Sequence, residues 1–215
     1  MNNLYILGAV ALGREMESWL QGSMEFVFPE YELKGFLHSG PNDLDQYPCD
    51  YKVVGDWETF DFAPGDAVLV GTADPVWKRK YVERLHGRVS FPTFIHPSVV
   101  IGKYSHIGEG TVVLVNSLIS CNVTIGNFVT INTGSQFGHE CVIEDFASVM
   151  SNSDFGGGSS LGEDSFVGTN ATIIPHVHVG KKTRVGAGSV VVRNVPDRWH
   201  VFGNPATRLL VPGQK

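Results

Sequence analysis

The sequence predicts an α/β unit followed by a parallel β-solenoid of six-residue repeats, and three observations carry that reading. From Ile95 to Val191 every sixth residue is Ile, Val, Leu or Phe, with no break in register. The residue four further on is small or Val, from Val99, Ser105 and Thr111 through Ser135, Cys141 and Ala147 to Thr183 and Ser189. Before residue 90 the pattern is different, with apolar runs of strand length alternating with helical stretches. Gly often follows the aliphatic position, as in Ile107-Gly108, Ile125-Gly126, Leu161-Gly162 and Val185-Gly186, and is read as the residue that a tight corner needs.

Taken in order, residues 4–7 form a buried strand, 8–13 a turn and 14–21 a short helix. Residues 34–37 make a second strand. After a loop rich in Pro and Asp, Val53-Val54-Gly55 starts another element, and Ala67-Val68-Leu69-Val70 is an apolar strand ended by Gly71. Asp74 is set to cap a helix with Pro75 at its first position, and Trp77, Tyr81 and Leu85 supply its apolar face. Strands alternating with helices predict a small parallel sheet, too short for a complete dinucleotide-binding fold. Residues 91–94 link the halves, and Ile95-His96-Pro97 starts the solenoid. The expected domains are therefore 1–90, 91–194 and a tail, 195–215, folded back on the last coil so that its strand edges do not stay unpaired.

The 215-residue chain carries a net charge of −6 and no basic cluster, which argues against nucleic acid as a partner. The first apolar stretch is too short for a leader or a membrane span, so a cytoplasmic protein without membrane insertion is expected. Cys49, Cys121 and Cys141 are widely spaced and odd in number, which speaks against a disulfide framework. Cys141 falls on an inward position and reads as a core thiol.

Three hexads make one triangular turn, so residues eighteen apart stack at about 4.8 Å. The inward positions are filled with packing residues, which leaves chemistry to the outward ones. His139 and Glu140 lie between inward Phe137 and Cys141 and occupy no packing slot. Eighteen residues away stand Cys121 and Asn122 on one side and Gly157 and Gly158 on the other. The run Phe155-Gly156-Gly157-Gly158 leaves the next coil bare beside His139. A histidine is the natural general base near neutral pH, and an adjacent carboxylate can orient its ring. The competing reading is an exposed histidine on a polar face.

Zinc is the other use of histidines on such a scaffold. His106 and His178 share a hexad position but stand four coils apart, on the order of 19 Å, whereas a zinc–nitrogen bond is about 2.0 Å. His139 and His176 are out of stacking register, and His176 with His178 is a weak pair, so no metal is expected. The turn from Gly8 to Gly13 follows a strand and opens a helix, where backbone N–H groups can hold a phosphate; a plain tight turn accounts for it equally well.

The whole chain resembles the bacterial sialic acid O-acetyltransferase and bacillosamine-pathway sugar N-acetyltransferase family. The likeness runs from Tyr5-Ile6-Leu7-Gly8-Ala9 through Lys34-Gly35-Phe36-Leu37 and Phe91-Pro92-Thr93-Phe94-Ile95-His96-Pro97 to Gly203-Asn204-Pro205-Ala206. Its most specific block is Asn132-Thr133-Gly134-Ser135-Gln136-Phe137-Gly138-His139-Glu140-Cys141-Val142-Ile143. The resemblance implies a Rossmann-like N-terminal domain, a left-handed parallel β-helix and a homotrimer. It implies direct acetyl transfer from acetyl-CoA to the amine or hydroxyl of a sugar, nucleotide-linked or part of a surface polysaccharide precursor. His139 is then the base and Glu140 the acid that raises its basicity. Ser148, Gly157, Thr169 and Ala187 match cofactor positions, with Ser148 standing where some members carry a histidine. Val10, Ala11, Leu12, His38, Gly55 and Asn132 match the acceptor side, and the cofactor would lie between two subunits. A non-catalytic solenoid that binds sugar or serves as a scaffold is the reading from a different class.

Overall fold

A computed structural model describes residues 1–40 and 44–209, so the end of the expected tail, 210–215, lies outside the described residues. The chain divides into two compact units, Met1–Pro97 and Ser98–Lys215.

The first unit is built on four parallel strands, β1 (Asn2–Leu7), β2 (Tyr31–Leu37), β3 (Val53–Gly55) and β4 (Ala67–Val70), in the order β3-β2-β1-β4. Leu4, Ile6 and Leu7 on β1 have no exposed surface, as a central strand covered on both faces requires. Helix α1 (Ala11–Leu20) buries Leu12, Met16 and Leu20, which recur every four residues along one face. After the short helix α2 (Met24–Val27), helix α3 (Pro75–Leu85) begins as its sequence foretells. Asp74 Oδ1 accepts hydrogen bonds from Val76 N–H at 2.8 Å and Trp77 N–H at 3.5 Å.

Three details differ from expectation. Helix α1 starts at Ala11, three residues before the expected Arg14. Gly13 is therefore a helical residue, glycine because a Cβ there would stand 2.2 Å from the Gly8 carbonyl oxygen. Strand β2 begins at Tyr31 rather than Lys34, because residues 31–33 find partners in Asn2, Asn3 and Leu4. On α3, Tyr81 and Leu85 are buried but Trp77 remains 46% exposed, so the buried stripe is narrower than its apolar residues suggest.

The second unit is a three-faced parallel solenoid. Strands of two residues hydrogen-bond to partners eighteen residues away, as in Thr124↔Val142, Gln136↔Asp154 and Thr130↔Ser148, one pair from each face. Aliphatic positions from Val113 to Val191 lie inside, and Phe137 stacks on Phe155 with ring centroids 5.1 Å apart. Ile101, on the first coil, is 42% exposed although it keeps the inward register. The small inward residues favour Ser and Thr for a second reason besides size. Their hydroxyls donate to carbonyls about one coil on, Thr111 to Gly126 O at 2.8 Å and Ser165 to Gly180 O at 2.8 Å.

The glycines after the aliphatic positions have a different cause from the one expected. The left-handed corner residue lies two places later and carries side chains, among them Asn122, Glu140, Asn152, Asn170 and His176, with φ between 55° and 63°. The glycines themselves face the next coil: a Cβ on Gly162 would stand 2.6 Å from Lys181 N, and one on Gly168 2.6 Å from Ala187 N. Close stacking requires them, and turn conformation does not. Beyond Val195 the chain adds the strand His200–Phe202 alongside Arg184–Val185, and Thr207–Arg208 returns antiparallel on it.

Candidate active site

His139 and Glu140 form the corner between the strands Gln136–Phe137 and Val142–Ile143. Phe137 and Cys141, with no exposed surface, anchor the two sides and force the corner side chains outward. Glu140 N–H donates to Cys121 O on the preceding coil at 3.2 Å, and His139 O accepts from Gly158 N–H on the following coil at 2.8 Å. The corner is thus pinned from both sides while its side chains stay 60% and 64% exposed. His139 Nδ1 lies 3.8 Å from Glu140 Oε2, an ion-pair separation when the ring is protonated and too long for a hydrogen bond.

The ring of His139 leans over the glycine coil, where a Cβ on Gly157 would stand 2.6 Å from Cε1 and from Nε2. A Cβ on Gly138 would in turn lie 2.6 Å from Gly157 N. Two missing side chains therefore leave an imidazole and a bare amide side by side. Among the described residues Gly157 N–H donates no hydrogen bond within the chain. Cys141 takes no part in this surface: its Sγ is inward, 3.2 Å from Gly156 O, and burial pushes the thiol up from its ordinary value.

The remaining expected positions on the solenoid do not gather at this corner. Thr169 and Ala187 are exposed and stacked on each other at the corner that follows the strands Phe166–Val167 and Arg184–Val185. Ser148 is fully buried, and its Oγ has no hydrogen-bond partner. Asn132 is half-buried, its carboxamide oxygen accepting from Thr133 N–H at 2.7 Å. One chain brings His139, Glu140 and Gly157 together and holds Thr169 with Ala187 on a different edge. Among the described residues no group of three His, Cys, Asp or Glu side chains is placed to hold a metal ion.

The first unit carries a cavity of about 380 Å³ whose lining includes Gly8, Val10, His38, Trp57, Trp77, Lys80 and Tyr81. Val10 and His38 are expected acceptor residues, and the structure brings them together here. Ala9 N–H donates to His38 Nδ1 at 3.2 Å, so the neutral ring carries its hydrogen on Nε2. Ala11 is exposed at the start of α1, whereas Leu12 points into the core. Gly55 makes room for Phe60, whose Cδ2 would lie 2.4 Å from a Cβ there. Next to the cavity the Ser39 hydroxyl, helped by Glu58 N–H at 2.8 Å, holds the Asp56 carboxyl below its usual range.

The aromatic wall of this cavity has no counterpart in the expected site. Trp57 meets Tyr81 edge to face at 4.7 Å. Lys80 Nζ lies 4.6 Å from the Trp77 ring and 5.3 Å from that of Trp57, with Glu58 Oε1 at 3.4 Å. The available signal was that Trp77, Lys80 and Tyr81 share one helical face; reading that face as buried hid it.

Comparison with known proteins follows the same outline. The family model for the bacterial transferase hexapeptide (six repeats) matches residues 158–193. The bifunctional protein GlmU of Lactococcus lactis subsp. cremoris (strain MG1363) is 34% identical over 115 residues, 45% of this chain and 24% of that protein. The chain thus spans about a quarter of the length of the first curated relatives it matches. Among solved structures, the acetyltransferase domain of PglB from Neisseria gonorrhoeae FA1090 superposes with a TM-score of 0.85 at 24% identity, over 97% of this chain and all of that one. PerB from Caulobacter crescentus, in complex with CoA and GDP-perosamine, superposes with a TM-score of 0.84 at 26% identity, over 97% of this chain and 98% of that one. Residues 158–193 thus carry the bacterial transferase hexapeptide repeat, and the likeness to PerB along almost the entire length fits the family that the sequence resembles.

Proposed function

We propose that the protein transfers the acetyl group of acetyl-CoA to an amino sugar, carried on a nucleotide, with His139 as general base. The observation that carries this reading is the pairing of the His139 ring with the uncovered Gly157 amide on one bare corner. Acetyl transfer needs both parts: a base to take the acceptor's proton and a donor for the oxygen of the tetrahedral intermediate. The sugar amine attacks the thioester carbonyl, its proton passes to His139 Nε2, and Gly157 N–H steadies the developing oxyanion. Glu140 contributes its charge beside the ring.

The nucleotide part of the acceptor is assigned to the cavity of the first unit, a Rossmann-like domain in this reading. Trp77 offers a face for a base and Lys80 a cation for phosphate. CoA and GDP-perosamine bound to PerB support the pairing of a thioester donor with a nucleotide sugar. The cofactor positions Thr169 and Ala187 stand on a different edge from His139, which supports a cofactor shared between copies. A left-handed trimer with its sites between subunits fits that arrangement.

The test is thiol release from acetyl-CoA with a panel of free amino sugars and nucleotide-linked amino sugars, with the product identified by mass. Acetylation of the amine of a nucleotide-linked sugar is the expected result. Acetylation of a hydroxyl would change the acceptor atom, and no turnover across the panel would leave a sugar-binding or scaffold protein.

A further inference from the structure

The glycine coil faces a second histidine. Gly158 sits at a left-handed corner with φ +68°, but that conformation does not explain the glycine, since Asn122, Glu140 and His176 adopt it at the equivalent place on neighbouring coils. The neighbouring ring explains it: a Cβ on Gly158 would stand 2.6 Å from His176 Nδ1. Gly157 is bare under His139 and Gly158 is bare under His176, so two imidazoles lie against consecutive residues of one stripped segment. Stacking register alone separates the two histidines, but each ring crosses the rise between coils toward one of two adjacent glycines, His139 toward Gly157 and His176 toward Gly158. His176 N–H also donates to Gly157 O at 3.0 Å, which fixes its backbone to the segment that carries the amide.

We propose that His176 is the general acid of the transfer, an inference that rests on the reading above. The acceptor nitrogen forms its bond to the thioester carbonyl carbon and gives its proton to His139. The tetrahedral intermediate collapses, the carbon–sulfur bond breaks with its electron pair going to sulfur, and the imidazolium of His176 protonates the departing thiolate. Amide and free thiol leave, and proton exchange with water resets the two rings. By position along the solenoid, the charged and titratable groups of this edge are His139 and Glu140 at the corner before the glycines, His178 two residues on from His176, and Arg193 after the strand Val190–Val191. A single imidazole would have to shed the acceptor's proton onto sulfur within one turnover; two rings divide the work.

The test uses His176→Asn, because asparagine already holds this left-handed corner at Asn122. With acetyl-CoA and an accepted amino sugar, kcat should fall about 100-fold with KM changed less than about two-fold. With an acetyl thioester of an electron-poor aryl thiol, which departs unprotonated, the variant should keep the wild-type rate to within about two-fold. An equal fall with both thioesters, or none with acetyl-CoA, would overturn the assignment. His139→Ala separates the two readings: if it abolishes turnover while His176→Asn leaves it intact, only the role of His176 fails. If the wild-type chain releases no thiol with any acceptor, both fail.

Discussion

His139 lies across Gly157 so closely that a single methyl group on that glycine would stand 2.6 Å from Nε2 of the ring. The corner seats this imidazole by leaving out a side chain on the coil next to it, and the consequences can be measured.

Gly157→Ala should push the imidazole off its seat without disturbing the core, since the corner side chains point outward. Misplacing a catalytic group by about 1 Å costs on the order of 100-fold in rate. We expect kcat to fall by about that factor while Tm moves by less than about 3 °C, the scale of a surface change below ~0.5 kcal/mol. Steady-state kinetics beside thermal unfolding would check both.

If a site is completed by a second copy, two inactive variants should rescue each other. His139→Ala removes the proposed base on one edge, and Ala187→Trp blocks the exposed position on the other. Unfolded together and refolded as mixed assemblies, they should recover a substantial part of wild-type turnover, while each alone stays inactive. No recovery in a mixture shown to be hetero-oligomeric would place each site within one chain.

Trp77→Ala should act on the acceptor alone. The side chain is 46% exposed, so truncation costs little stability, but it removes one face of the cavity and a partner of Lys80. Losing an aromatic contact of about 1 kcal/mol predicts an increase in acceptor KM of roughly five-fold or more, with the KM for acetyl-CoA unchanged. An effect confined to acetyl-CoA would contradict the assignment of the cavity.

Much of this architecture was legible in the sequence because each coil repeats one rule: the spacing that puts Phe137 on Phe155 also puts His139 beside Gly157. What register could not show is side-chain reach. His176 is out of step with His139 along the backbone, yet the two rings bend to adjacent glycines, Gly158 and Gly157. The aromatic wall was missed for a related reason, since Trp77 shares a helical face with buried Tyr81 and only packing decides which of them is covered. The early start of α1 escaped because Gly13 looks like a turn residue and is in fact a close-packing one.

Cys121 and Cys141 should behave oppositely toward an alkylating reagent. Cys121 is exposed on the coil before His139, whereas Cys141 is buried and its thiol is pushed up by that burial. Mass spectrometry of the folded protein after iodoacetamide should find Cys121 modified and Cys141 untouched across the neutral and mildly alkaline range. Modification of Cys141 at the rate of Cys121 would mean that the glycine coil opens in solution.

The most direct test of the account is the rate of thiol release by His139→Asn with acetyl-CoA and an accepted amino sugar. A general base is worth about 100-fold or more, so kcat should fall by at least that factor with little change in either KM. Turnover equal to that of the wild-type chain would contradict the account at its centre.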